Sequence, residues 1–303
     1  MRGKSWLFIL LILINIFGFF LLNHYYKNRE IISEKIKLEK RKINWKNLED
    51  KINKEIKRFN KEVSIYIKDL DKNWIISIEK EKLFPAASLV KIPIMATCFL
   101  LENEKKLDLE QTIKLKSQDK LGGSGILKIV LDNSEFPIRR LIGLMIYESD
   151  NTATNIITNI IGINNLNNYF KKIGLKNTYL LRKVADYSSR RNGKENYTTA
   201  EDMGNLLERF YRKNFINEKI SDECIEILKL QRINDRIPKY LPASVLVAHK
   251  TGLERNICHD VGIVFTKKGD FIICVLTKNG NLKSSKEFIA KISLLVYNYF
   301  KNL

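Results

Sequence analysis

Cysteine is scarce and unpatterned in this chain: four in 303 residues, at Cys98, Cys224, Cys258 and Cys274, with no CxxC or CxxH spacing. Compact zinc sites are built from such pairs, so no metal is implied. Cys98, Cys258 and Cys274 lie in apolar stretches and read as core residues, with disulfides left open should the domain lie outside the cell. The N-terminal region lacks two processing signals. Leu21-Leu22-Asn23-His24-Tyr25-Tyr26 contains no A-x-A cleavage pattern, and no cysteine stands nearby to carry a lipid. The net charge of +19 comes with no recognisable nucleic-acid-binding motif. Attraction to an anionic lipid or polymer, or a lysine-rich coding bias, remains as its reading.

What is present is three short motifs in fixed order: Ser88-Leu89-Val90-Lys91, Ser149-Asp150-Asn151 and Lys250-Thr251-Gly252. Ser-x-x-Lys alone is weak, and it occurs three times. Ser77 to Lys80 follows the apolar run Trp74-Ile75-Ile76 and reads as a strand, where a spacing of three puts side chains on opposite faces. Ser117 to Lys120 runs into the turn signal Gly122-Gly123. Only Ser88 opens a long apolar segment, Ile92 to Leu101, behind Pro85-Ala86-Ala87. That pattern predicts a buried helix with Ser88 at its N-terminus and Lys91 one turn on, within reach of the hydroxyl. Unpaired N–H groups at such a terminus stabilise an oxyanion. An apolar face lowers the lysine pKa from about 10.4 toward neutrality, which makes Ser and Lys an activated pair. For an isolated match, a capping serine and a snorkelling lysine is the plainer account.

The other two motifs change that balance. Glu148 to Thr152 interrupts the helical stretch Leu141–Tyr147 before a helix resumes over Ala153–Ile161, so a short interhelical loop presents Ser149 and Asn151. Val245-Leu246-Val247-Ala248 reads as a buried strand ending in Lys250 and Thr251, with Gly252 where a substrate backbone approaches closely. Alone, each reads as a capped helix start and a strand ending in a turn. His249 and His259 flank that strand end; each reads as a satisfied structural histidine, with lining the cleft as the alternative.

The order SxxK, SDN, KTG resembles the class A serine β-lactamases and the related penicillin-binding D,D-peptidases. The resemblance runs from about Trp45 to Leu303 and includes Gly122-Gly123-Ser124-Gly125, Asn196-Tyr197-Thr198-Thr199 and the strands 261–265 and 271–276. It implies that Ser88 is the acylated nucleophile, Lys91 its base and Ser149 the proton relay to the departing ring nitrogen. Asn151 would bind the substrate amide and help anchor Lys91, while Lys250 and Thr251 would bind its carboxylate. Backbone N–H groups of Ser88 and Leu253, next to Gly252, would form the oxyanion hole. The implied substrate is a β-lactam or a peptide ending in D-Ala-D-Ala, with no cofactor, and the protein would be a monomer. One departure stands out. Where class A enzymes carry a glutamate two residues after an arginine, this chain reads Arg182-Lys183-Val184. Asp186 and Glu195 are the acids available before Thr198 to replace that deacylation base; pairing of Asp186 with Arg182 or Lys183, and exposure of Glu195, is the plainer account. β-lactam hydrolysis, D,D-peptidase action and a penicillin-binding sensor that stays acylated all remain open.

The coarse pattern agrees with that fold: an α/β lobe built from both chain ends, and an all-helical lobe inserted between them, with the motifs at the seam. Trp45, Leu48, Ile52, Ile56 and Phe59 recur three or four apart, an amphipathic helix. Strands are predicted over 63–67 and 74–78, and a helix over 288–300. Upstream, Arg2 and Lys4 precede the apolar run Trp6–Leu22, broken by Asn15 and Gly18, at the short end of what spans a bilayer. The prediction is an uncleaved membrane anchor over residues 1–26, a charged stalk over 27–44 and the hydrolase domain over 45–303. Lys27, Arg29, Lys35 and Lys37 would by charge alone hold that flank inside. The implied substrate class places the domain on the extracytoplasmic side instead, where anionic cell-wall polymer is a further partner. Secretion after signal cleavage is the alternative and keeps the same side.

Overall fold

The structure, a computed structural model, describes the backbone of residues 3–303 and the side chains of residues 13, 15 and 17–303. Arg2, and the side chains of Lys4 and of most of the apolar run after it, lie outside that set. Among the described residues, no helix is long and apolar enough to cross a membrane. The chain divides into two compact units, Lys51–Asn302 and Met1–Asp50 with Leu303. Helix α1 (Gly3–Phe59) is uninterrupted, so the predicted stalk and amphipathic helix are one element. Nothing between Gly18 and Phe59 breaks it, since that stretch has neither proline nor glycine.

The larger unit is organised on a sheet whose strands come from both chain ends. β1 (Glu62–Asp69) and β2 (Ile75–Ile78) pair with each other, and β7 (Leu246–Glu254), β8 (Ile257–Phe265) and β9 (Phe271–Lys278) complete the order β2-β1-β9-β8-β7. Every neighbouring pair is antiparallel. β8 and β9 are buried along almost their whole length. Helices therefore cover both faces, which explains continuous apolar runs in place of alternation. Helix α9 (Leu282–Lys301) packs here, with Phe300 stacked on Phe271 at 4.9 Å and Phe288 on Phe59 at 4.4 Å.

Between β2 and β7 the chain is mainly helical. A short strand β3 (Phe84–Pro85) precedes α2 (Lys91–Asn103); β4 (Thr112–Lys114) and β5 (Glu135–Pro137) form a small ladder; α3 (Ile138–Tyr147), α4 (Asn151–Ile161), α5 (Ile163–Lys172), α6 (Tyr187–Arg191), β6 (Tyr197–Thr198), α7 (Ala200–Tyr211) and α8 (Glu218–Lys229) follow. Ile92, Ile94, Met95 and Phe99 of α2 are fully buried. At roughly 1.5–3 kcal/mol for each such side chain, this central helix is held by packing. The inserted helical lobe predicted from element order is therefore present.

Two local predictions are refined. Ser88 sits inside a 3₁₀ turn, Ala87–Val90, and Lys91 is the first residue of the α-helix proper. Strand β7 does not end at Thr251 but runs on to Glu254, because Gly252 and Leu253 keep their ladder partners His259 and Cys258.

Candidate active site

Two fully buried lysines converge on one hydroxyl. Lys91 Nζ donates to Ser149 Oγ at 3.1 Å, to the Ser149 carbonyl at 2.6 Å and to Asn151 Oδ1 at 3.0 Å. Lys250 Nζ reaches the same Ser149 Oγ at 3.0 Å and the Thr251 carbonyl at 2.9 Å. Burial lowers the Lys91 pKa to about 7. Burial, and then the charge of Lys91, holds Lys250 well below the ordinary lysine value. The three bonds are those of the ammonium form; a pKa lowered to about 7 brings the neutral amine, with one lone pair free to take a proton, within reach near neutral pH. Ser88, three residues before it in the 3₁₀ turn, is half-buried.

Local backbone chemistry presents these groups. Ala87 has φ +46°, and Ser149 has φ +53°. Such left-handed conformations cost non-glycine residues roughly 1–3 kcal/mol each, and the surrounding contacts hold them. Asp150 caps α4, accepting from Ala153 N at 2.9 Å, and its other oxygen accepts from Leu127 N at 2.8 Å. Gly125, at φ +107°, lets the 122–127 loop lie against that carboxylate: a Cβ there would sit 2.2 Å from Asp150 Oδ2. Asn151 completes the tie, its N–H donating to Ser124 O at 3.1 Å. The Gly-rich stretch and the SDN loop are consequently one wall.

Strand β7 forms the opposite wall. His249 Nδ1 bonds Asp260 Oδ1 at 2.9 Å, and Asp260 Oδ2 accepts from Ile237 N at 3.0 Å. Arg236, 1% exposed, donates from Nε to Cys258 Sγ at 3.1 Å. Both histidines are buried and bonded, as a structural reading of them requires; His259 donates from Nε2 to Pro85 O at 2.9 Å.

The segment carrying Val184 is anchored from two sides. Asn155 brackets the Val184 backbone, donating to its carbonyl at 3.0 Å and accepting its N–H at 3.1 Å. Arg182 Nη2 pairs with Glu195 at 2.6 Å and with Glu254, at the end of β7, at 3.1 Å. Arg190 contacts the same two carboxylates, each at 2.8 Å. Glu195 is thus committed to two guanidiniums. Asp186 caps α6, and the Ser189 N–H it accepts holds its pKa below the usual carboxylate value. The structure therefore gathers Lys91, Ser149, Asn151 and Lys250 into one cluster, with Thr251 contributing its backbone carbonyl, and gives Glu195 and Asp186 other partners. Asn155, Asp260, Arg236 and Glu254 carry no motif. A sequence signal exists only for Asn155, four residues after Asn151 and so on the same face of α4.

Acyl transfer on this fold defines a class of protein, and the comparisons agree: residues 47–300 match the Beta-lactamase enzyme family, to which the chain belongs. Beta-lactamase VEB-1 of Pseudomonas aeruginosa is 27% identical over 278 residues, covering 84% of this chain and 91% of that protein. Among solved structures, a point mutant of PBP-A, described as an acyl-enzyme complex with penicillin G, has a TM-score of 0.78 at 27% identity, covering 85% of this chain and 97% of that one. The β-lactamase of Sphaerobacter thermophilus is alike in fold, with a TM-score of 0.77 at 24% identity, covering 86% and 98%. Among the described residues, no group of three or more His, Cys, Asp or Glu side chains is placed to hold a metal ion.

Proposed function

We propose that this protein is a serine hydrolase that opens β-lactam amides through an acyl-enzyme at Ser88. The observation that carries the reading is the pair of buried lysines sharing Ser149 Oγ. Neutral Lys91 takes the Ser88 hydroxyl proton as Oγ bonds to the lactam carbonyl carbon. The carbon–nitrogen bond then breaks, and the proton passes through Ser149 to the departing ring nitrogen. Backbone N–H groups of Ser88 and Leu253 receive the oxyanion, Lys250 and Thr251 the carboxylate, and Asn151 the side-chain amide. Water then cleaves the ester and regenerates Ser88.

A second reading, a D,D-peptidase or penicillin-binding sensor with the same acylation step, is favoured by one observation. Val184 stands where the resembling class A enzymes have a carboxylate, and Asp186 and Glu195 are engaged with other partners. Acylation then outruns hydrolysis. The purified protein is mixed with a chromogenic cephalosporin and a fluorescent penicillin. Sustained colour supports hydrolysis, and a persistent label on Ser88 without colour supports the second reading. A penicilloyl adduct still formed by Ser88→Ala, detected by mass spectrometry, would overturn both. The proposed location is extracytoplasmic, tethered through residues 1–26, and cell fractionation tests it.

A further inference from the structure

His259 lies beneath the proposed site without facing it. Its ring is fully buried on β8 and touches three segments that meet there. Nε2 donates to the carbonyl of Pro85, three residues before Ser88. Nδ1 accepts the backbone N–H of Thr277 on β9 at 3.1 Å. The ring also meets Phe84 edge-on at 6.0 Å. Directly across the ladder is Gly252, where a Cβ would come within 3.3 Å of His259 Cβ and Cδ2 and of Leu89 Cγ. One bond orders each ring nitrogen, so the tautomer is set: proton on Nε2, lone pair on Nδ1. Burial, which drives the ring pKa down to about 4, keeps it in that neutral form. From the other side, Ala86 N donates to Asn196 O at 2.8 Å, so the turn leading to Ser88 is gripped from both flanks.

We infer that His259 is a positioning residue for acylation: it fixes the nucleophile turn 85–88 against β7 and β9, and so sets the gap between the Ser88 and Leu253 N–H groups. The inference rests on the acyl-enzyme reading above. An oxyanion hole depends on donors placed within tenths of an ångström of the developing charge, and one residue that spans Pro85, Gly252 and Thr277 controls that spacing. His259 reaches no reacting atom, so its effect passes entirely through the turn and the strand.

The two hydrogen bonds can be deleted separately. His259→Asn places a carbonyl oxygen near the Nδ1 position, able to keep the Thr277 bond, and leaves Pro85 O without a donor. His259→Gln extends an amide N–H to the Nε2 position and keeps the Pro85 bond. Stopped-flow labelling with fluorescent penicillin separates the dissociation constant of the initial complex from the acylation rate constant, and thermal melting reports stability. The expected result is an acylation constant lowered roughly 10- to 100-fold in His259→Asn, with initial binding within about twofold of wild type, and a loss of less than about fivefold in His259→Gln. If His259→Asn does not fold, His259→Phe, which keeps a flat ring and removes both bonds, takes its place with the same expected loss. An unchanged acylation constant beside a lowered melting temperature would overturn the inference and leave a purely structural histidine. Wild-type protein that is never acylated would overturn the functional reading itself, and the inference with it.

Discussion

At the scale of single residues, the site works by sharing. One hydroxyl, Ser149 Oγ, accepts from both lysines; burial depresses both, and the charge of Lys91 depresses Lys250 further. For Lys91 the folded pKa lies below the unfolded one, so the neutral base is present above pH 7 and lost as pH falls through it. Acylation should accordingly fall about tenfold per unit below pH 7 and be flat above it, as read from penicillin labelling across pH. Lys91→Ala should lower the plateau by roughly 10²- to 10⁴-fold and abolish that dependence. Lys250→Ala should act on capture instead. A lost charge-assisted bond predicts a KM for carboxylate-bearing substrates raised about 10- to 100-fold, with a smaller fall in kcat. A pure kcat defect would make Lys250 a chemical participant.

At the scale of elements, the segment from Arg182 to Glu195 is held as a body by Asn155 on one side and by Glu254 on the other. A glutamate introduced at position 184 would start from a fixed backbone. Val184→Glu should therefore speed deacylation of the penicilloyl enzyme by roughly 10²-fold, measured by loss of label after removal of excess drug. No gain would mean that the side chain there does not reach the ester. The elements also show what could be read from sequence. The positions of Lys91, Ser149 and Asn151 were legible because a helix start and a short interhelical loop follow from local residue preferences. The inner part of the sheet was legible because 261–265 and 271–276 are apolar and match the family the motifs resemble, while His259 and Asp260 hid the start of β8. The His259–Pro85 bond and the Arg190–Glu254 pair were not, since each depends on strand register and chain crossing between residues far apart in sequence. The true end of β7 was missed for a related reason. A glycine within a strand looks like a terminus until its ladder partner is known.

For the whole molecule, the scarcity of cysteine acquires a physical meaning. Cys98, Cys224, Cys258 and Cys274 are all free and buried, and burial raises each thiol pKa. Thiolate is the reactive form, so native protein at neutral pH should resist iodoacetamide, with all four thiols alkylated only after denaturation. Rapid labelling of the native state would show that the core opens locally. Stability is then independent of the redox state of the surroundings. The hairpin joining β7 to β8 sets a different limit on the molecule. Arg255 and Asn256 alone separate the strands, and the pairing of Lys250 with Val261 and of Gly252 with His259 is counted from that tip. Because strand side chains alternate faces, a slip of one residue would turn Lys250 away from Ser149. The tip is thus a ruler for the site: its two-residue length, with Asn256 turned at φ +61°, decides which residues of β7 face Ser149.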